Sequence, residues 1–504
     1  MNMRTEGDAG SLELDDMQGL LRFGFKHLTK ASFLLLRIKD RDAARAWLAA
    51  APVTSAVTAN PLPPTALQVA LTSEGLLALG VAQDIVDSFS NEYVAGMSSD
   101  PGRSRRLGDV AASDPGQWDW GAKHRVPHVL IMLYATPGTL EGYLRLVQAQ
   151  CSAGFEELAC LGTAEMDDFE PFGFKDGISQ PKLDWDRERR ICDEEQYAYT
   201  NLACLGEFLL GYPNEYGGYT DRPLLDPRHD AAALLPRAED VPKQADLGRN
   251  GSYLVMRQLR QDIQGFWRYI DQQAGGEAAL RESLAAAMVG RTLSGEPLVG
   301  RTNEIIAGNS EKPDTAANAF TYQSDPQGLR CPLGAHIRRS NPRNADLPPG
   351  NPGMFSRLIR TLGFDAEALE NDHVASTRFH RLLRRGRKYG ATVSLPQALA
   401  DTRQGNESGL HFVCLVANIA RQFEFVQSAW IAGTKFDGLA GEGDPLLGQR
   451  QPGPDGTRTD VFSIPQSDGP DKRLTALPSF VTVRGGAYFL LPGIRALRYL
   501  ATSH

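Results

Sequence analysis

The sequence predicts an α+β fold built from two ferredoxin-like halves, each an antiparallel sheet with peripheral helices. Two internal echoes predict it. Residues 32–37 (SFLLLR) return as residues 252–257 (SYLVMR), and each run is followed by a helical pattern carrying a tryptophan, Trp47 and Trp267. Residues 128–135 (HVLIMLYA), followed by TLEGYLRLVQ, return as residues 411–417 (HFVCLVA), followed by ARQFEFVQ. Strand–helix pairs recurring in the same order read as a duplicated β-α-β…β-α unit.

The elements follow in order. Residues 31–38 (ASFLLLRI) form an unbroken apolar run of strand length. Residues 42–49 place Ala44, Trp47 and Leu48 on one helical face. Residues 68–72 read as a short strand, and a helix over 74–79 stops at Gly80. The strand at 128–135 and a helix over 139–148 complete the first half. The stretch 221–250 is rich in Pro, Asp and Arg without a sustained period, as an inter-domain connection would be. We therefore expect an N-terminal half over 1–225, a connection over 226–250 and a C-terminal half over 251–504. Two more irregular stretches, 310–354 with its turn-rich 347–352 (LPPGNP) and 441–473, are expected as surface loops.

The 504 residues suffice for two to four domains with a large core. Lys+Arg at 53 against Asp+Glu at 61 leave a formal net charge of −8, which argues against nucleic acid or an anionic membrane as the main partner. The longest apolar run, 129–135, falls far short of the ~20 residues of a spanning helix. The polar N-terminus MNMRTEGDAGSLELDD has no basic n-region, apolar h-region or twin arginine, so a cytoplasmic location is expected. None of the six cysteines (151, 160, 192, 204, 331 and 414) forms a C-x-x-C pair, and Cys331 and Cys414 read as buried small hydrophobes. No H-E-x-x-H, G-x-S-x-G, P-loop or G-x-G-x-x-G occurs, which removes the commonest metalloprotease, hydrolase, NTPase and dinucleotide readings. His124 and His128 flank Pro127 and read as structural or exposed; His373 and His380 read as solvated or supporting.

Three segments remain. In 171–181 (PFGFKDGISQP), Asp176 sits between glycines that allow close backbone approach to a cavity, although an Asp-Gly turn reads the same way. In 331–343 (CPLGAHIRRSNPR), His336 is isolated among small and apolar residues: a satisfied core histidine or an axial haem ligand with a nearby arginine for a propionate. In 381–390 (RLLRRGRKYG), five cations in ten residues favour a solvated basic turn, unless a buried anion holds one of them.

Together the three resemble the dye-decolourising peroxidases. PFGFKDGISQP is similar to that family's GxxDG motif, CPLGAHIRRSNPR to its proximal-histidine segment, and RRGRKYG to its distal-arginine segment. EFLLGY at 207–212, GLHF at 409–412, GDPLLG at 443–448 and the C-terminal FVTVRGGAYFLLPGI carry the same look. The resemblance runs from about residue 15 to 500, and its length matches the longer bacterial and fungal types. It implies haem b held between two ferredoxin-like domains of the dimeric α+β barrel type. The implied enzyme reduces hydrogen peroxide through an Asp/Arg-assisted ferryl intermediate and oxidises dyes, phenolics and similar donors, with a homodimer among the expected assemblies.

Residue by residue, the resemblance makes His336 the iron ligand, Asp444 the acceptor for its other ring nitrogen, and Arg343 the propionate partner. Asp176 and Arg384 are the implied catalytic pair, Arg384 being chosen over Arg385 because it lies six residues before Gly390. Leu410 and Phe412 line the distal cavity. Tyr389 and Trp430 match electron-relay positions and equally read as packing residues. A carboxylate base stays competent where a histidine would be protonated, so dye oxidation is expected to have an acidic optimum. Lys388 stands where the family commonly has proline, which leaves this segment freer. The rival readings are a haem-handling protein with incidental peroxidase activity, and a manganese-oxidising or oxygenase-like enzyme using the acidic clusters 165–170 and 193–195.

Overall fold

The computed structural model describes residues 12–188, 201–228, 230–300, 317–343, 377–400, 407–452, 456 and 458–502. Cys192, His373, the acidic cluster 193–195 and the turn-rich 347–352 lie outside the described residues.

In the first half, β1 (Lys30–Ile38) leads to α1 (Arg41–Ala50), which starts where the Asp40 side chain accepts from the Ala43 N–H. Next come β2 (Thr65–Leu71), β3 (Val129–Ala135), α2 (Leu140–Cys151) and β4 (Phe155–Gly162). The strands lie antiparallel in the order β4-β1-β3-β2. The second half repeats the plan. Its elements are β5 (Ser252–Gln261), α3 (Ile263–Gln273), α4 (Ala278–Val289), α5 (His336–Ser340), β6 (Leu383–Arg384), β7 (Arg387–Tyr389) and β8 (Gly409–Val416). Two π-helical stretches, Ala420–Glu424 and Val426–Ile431, lead on toward β9 (Val481–Leu491), and α6 (Ile494–Thr502) closes the chain. The order is β9-β5-β8, with β6 and β7 both on β8. Counting the β6–β7 stretch as one strand, both halves run fourth-first-third-second. SFLLLR and SYLVMR are thus the first strands of the two halves, and HVLIMLYA and HFVCLVA the third.

The halves share one sheet. Leu490 of β9 pairs with Leu71 of β2. At the far edges the Ala164 N–H donates to the Lys388 carbonyl at 2.9 Å, and His411 Nε2 meets the Gly162 carbonyl at 3.1 Å, so the sheet curls on itself. Because side chains alternate along a strand, one set faces inward: Phe33, Leu35, Met132, Met256, Val413 and Phe489 form a single core. The alternate set, including Leu34, Ile131 and Val255, packs against Leu48 of α1 and Leu497 of α6. Burial on both faces explains why these strands read as unbroken apolar runs. β9 shifts register between Val483 and Gly485, where the Trp120 ring lies against the strand: a Cβ on Gly485 would stand 2.5 Å from it.

Three expectations need correction. The described part of 310–354 is not a surface loop; Arg338, Arg339 and Arg343 are among the largest fully buried side chains, neutralised or bonded by carboxylates and carbonyls. The stretch 441–473 buries Glu442 and Asp444 and carries the hairpin Val461–Ile464/Lys472–Thr475. The basic run at 381–390 is not a solvated turn, since Arg381, Arg385 and Arg387 are largely covered and the last two donate to main-chain carbonyls. Among the described residues no helix is long and apolar enough to cross a membrane.

Candidate active site

His336 opens α5, and the arginines that follow fix that short helix. Arg338 Nη1 donates to the Asp325 and Cys331 carbonyls at 3.0 and 3.1 Å, and Arg339 Nε to the Trp430 carbonyl at 2.7 Å. The His336 Nδ1 lies 2.8 Å from Asp444 Oδ2. Asp444 is fully buried, and its other oxygen accepts from the Leu446 and Leu447 N–H groups at 2.9 and 2.8 Å. Burial would push this carboxyl up, but His336, Arg339 and the Leu447 N–H outweigh it and hold it below its ordinary value. Burial would depress the imidazole, and the adjacent carboxylate outweighs that and raises it. The carboxylate accepts only, so in the neutral ring it fixes the proton on Nδ1 and leaves the Nε2 lone pair for a ligand.

Asp176 is presented by a loop that Glu170 organises: its carboxylate accepts from the Phe172 and Phe174 N–H groups at 3.0 Å each, and Gln261 Nε2 donates to it at 3.1 Å. The Asp176 N–H donates to the Asp168 carbonyl, and Gly177 follows at φ 79°, a left-handed turn that suits glycine. Arg384, on β6, donates from Nη1 to Asp176 Oδ1 at 3.2 Å and from Nη2 to the Ser179 carbonyl at 3.3 Å. Its own N–H donates to Gln180 Oε1 at 3.0 Å. Arg385, just beyond β6, turns the other way, onto the Leu20 and Leu21 carbonyls. Burial works to raise the Asp176 carboxyl; Arg384, the Gly177 N–H and His336 outweigh it and keep the group below the ordinary aspartate range. Lys388 is not loose: its Nζ meets Asp167 Oδ2 at 2.6 Å, which ties β7 to the strand of chain leading to Asp176.

A cavity of about 300 Å³ is lined by His336, Asp176, Arg384, Arg343, Leu410 and Phe412. A second, of about 580 Å³, shares Glu170, Asp176, Arg384, Leu410 and Phe412 with it. Of the remaining sequence candidates, Arg343 lies over the Phe320 ring at 3.8 Å and donates to the Asn318 and Phe320 carbonyls at 2.8 and 2.7 Å. Tyr389 is partly exposed at the sheet edge. Trp430 is buried, edge-on to His380 and Phe425, and so is not a surface residue.

The donor set fits a haem. One imidazole nitrogen is free for iron, apolar walls such as Ile337, Leu446 and Leu447 suit a porphyrin, and Arg343 and Arg381 line the same cavity where its carboxylates need cations. Among the described residues no group of three or more His, Cys, Asp and Glu side chains could hold a metal ion. Sequence reading missed Glu170, placed with a solvated acidic cluster, whose carboxyl burial pushes up to about 7. It also missed Arg381 and His380 as cavity residues, because their local sequence reads as exposed and basic.

No family model matches the chain. It is 29% identical over 453 residues to the multifunctional dye peroxidase DyP2 of an Amycolatopsis species, covering 86% of this chain and 82% of that one. It is 27% identical over 524 residues to the dye-decolorizing peroxidase msp1 of Mycetinis scorodonius, covering 98% and 88%. Among solved structures, a fungal DyP-type peroxidase from Auricularia auricula-judae superposes with a TM-score of 0.71 at 24% identity, covering 98% of this chain and all of the other.

Proposed function

We propose that this member of the dye-decolorizing peroxidase family is a haem b enzyme that reduces hydrogen peroxide and oxidises dyes, phenolics and similar aromatic donors. The observation that carries the reading is the meeting of two pairs on one cavity: His336 with Asp444, and Asp176 with Arg384. His336 comes from α5, Arg384 from β6 and Asp176 from a loop of the first half, so the site exists only when 1–225 and 251–504 come together. A haem-handling protein would need His336 and a pocket but has no use for a carboxylate–guanidinium pair facing the same space.

When bound, the haem supplies the redox centre on which peroxide is reduced and from which donors are oxidised. The protein's own groups do the rest. His336 Nε2 would hold the haem iron, and Asp444, bonded to Nδ1, would keep the ring oriented and basic. The Asp176 carboxylate takes a proton from one peroxide oxygen and returns it to the departing one, so that water leaves. Arg384, always charged, polarises the O–O bond and keeps Asp176 ionised. Arg343, which lines the cavity, would offset the charge of the cofactor's carboxylates; Leu410 and Phe412 would restrict water. Donors too large for the cavity give their electron at a relay, which we assign to the partly exposed Tyr389. The free thiols of Cys151, Cys160, Cys204, Cys331 and Cys414 support a reducing compartment such as the cytoplasm.

Stopped-flow mixing of the haem-loaded chain with peroxide tests this. Asp176→Asn should slow the peroxide step by about 10²–10⁴-fold. In the wild type the active form is the carboxylate, so the rate should persist into acid and fall only below the ordinary aspartate value of about 3.9. Arg384→Leu should move that acid limb upward. An Asp176→Asn protein reacting at the wild-type rate would overturn the assignment.

A further inference from the structure

We infer that Glu407 is the proton acceptor for a redox-active Tyr389, and that the two form an oxidation site at the sheet edge for donors that cannot enter the cavity. The inference rests on the peroxidase reading above and adds to it the residue without which a tyrosine relay is slow.

The Tyr389 hydroxyl donates to Glu407 Oε1 at 2.9 Å. Its ring lies flat against β8. It stacks on His411 with centroids 4.5 Å apart and planes at 19°, and it sits over Gly409, where a Cβ would come within 2.8 Å of the phenol oxygen. Glycine at 409 therefore makes room both for the Leu259 carbonyl, which a Cβ would meet at 2.0 Å, and for this ring. His411 is buried, and burial holds its imidazole down to about 4, so the stacked ring is neutral and places no cation against the phenol. Leu410 and Phe412, on either side of His411 in the same strand, line the cavity, so one strand separates the phenol from the proposed haem site. Tyr389 is partly exposed and Glu407 exposed, within reach of a large donor.

The groups facing the phenol are Glu407, Gln258, His411 and, farther off, Arg484. Burial and the Glu407 carboxylate push the phenol well above its ordinary ionisation range. It is thus protonated when its electron is called for, and the proton must leave in the same step. The Tyr389 O–H bond breaks, the proton forms an O–H bond on Glu407 Oε1, and one electron passes to the peroxide-oxidised haem. An aromatic donor then gives one electron to the tyrosyl oxygen, and Glu407 returns its proton. The donor is oxidised by one electron, and both side chains are restored.

The test compares wild type, Tyr389→Phe, Glu407→Gln and Glu407→Asp as haem-loaded full chains. Two quantities are read: the ratio of anthraquinone-dye to guaiacol turnover, and the high-field EPR spectrum after one equivalent of peroxide. Tyr389→Phe should lower the ratio about tenfold, equivalent to ~1.4 kcal/mol of barrier, and abolish a tyrosyl signal. Glu407→Gln should lower the ratio comparably and shrink that signal with a shifted g-tensor, while Glu407→Asp restores part of both. A Glu407→Gln protein with the wild-type ratio and spectrum, alongside an impaired Tyr389→Phe, would overturn the role of Glu407 and leave the relay standing. A Tyr389→Phe protein matching wild type in both readings would remove the relay itself, and the inference with it.

Discussion

Replacing Asp444 by asparagine probes the carboxylate beneath the proposed iron ligand without changing its shape. The wild-type side chain accepts three hydrogen bonds: from His336 Nδ1 at 2.8 Å and from the Leu446 and Leu447 N–H groups at 2.9 and 2.8 Å. An asparagine keeps its oxygen on the two backbone donors, which turns its NH₂ toward His336 Nδ1. The ring must then carry its proton on Nε2, the atom meant for iron. The charge-assisted bond lost is worth about 1.5–3 kcal/mol, which at about 1.4 kcal/mol per tenfold is a roughly ten- to hundredfold weaker haem complex. The same range is typical when a ligand's supporting hydrogen bond is removed. The assay is a Soret-absorbance titration of the cofactor-free protein with haem. Circular dichroism on the same samples shows that the variant is folded, because Arg339 and Arg450 also lose a buried anion that offsets their charge. An Asp444→Asn protein with wild-type haem affinity and an unchanged Soret band would refute the reasoning.

Two other outcomes concern the fold. Glu170 and Glu207 are each pushed by burial from 4.5 up to about 7. Between those values the folded chain holds protons that the unfolded chain has released, so each glutamate's contribution to stability falls as pH rises through that window. The buried neutral His128, His380 and His411, held down to about 4, act the other way. The test is therefore differential: the urea midpoint of Glu207→Gln should gain on that of the wild type from pH 4.5 to 7. Gly485→Ala puts a Cβ 2.5 Å from the Trp120 ring at the register shift of β9 and should cost about 1–3 kcal/mol. An unchanged thermal midpoint would mean that the indole moves freely.

The architecture was legible where burial is two-sided and local. SFLLLR, SYLVMR, HVLIMLYA and HFVCLVA are apolar on consecutive residues because both faces of their strands are covered, and their recurrence gave away the duplication. What was not legible depends on the partner. β4 (FEELACLG) mixes charged and apolar residues because much of it stays exposed, so it lacks the pattern of its neighbours. The arginines at 381, 385 and 387 look like a solvated run, yet Arg385 and Arg387 are satisfied by carbonyls of Leu20, Leu21, Gly24 and Phe25, more than 350 positions away. The site shows the same division. Asp176, His336 and Arg384 were found through whole motifs, and the chain places Arg384 on Asp176 while Arg385 bonds the Leu20 and Leu21 carbonyls. Glu170 escaped because nothing in its neighbours reveals that it is covered and bonded by its own loop. Trp430 reads equally as a relay and as a packing residue, and its burial follows from packing against His380 and Phe425.

The most direct measurement is the visible spectrum of the haem-loaded protein before and after one equivalent of peroxide, in the wild type and in His336→Ala. The arrangement of His336, Asp176 and Arg384 around one cavity predicts a histidine-ligated ferric spectrum. It should convert within milliseconds to a new, well-defined Soret and visible band pattern, and the ferric ligation should be lost in His336→Ala. A spectrum indifferent to His336, or haem that bleaches without a defined change, would contradict the account.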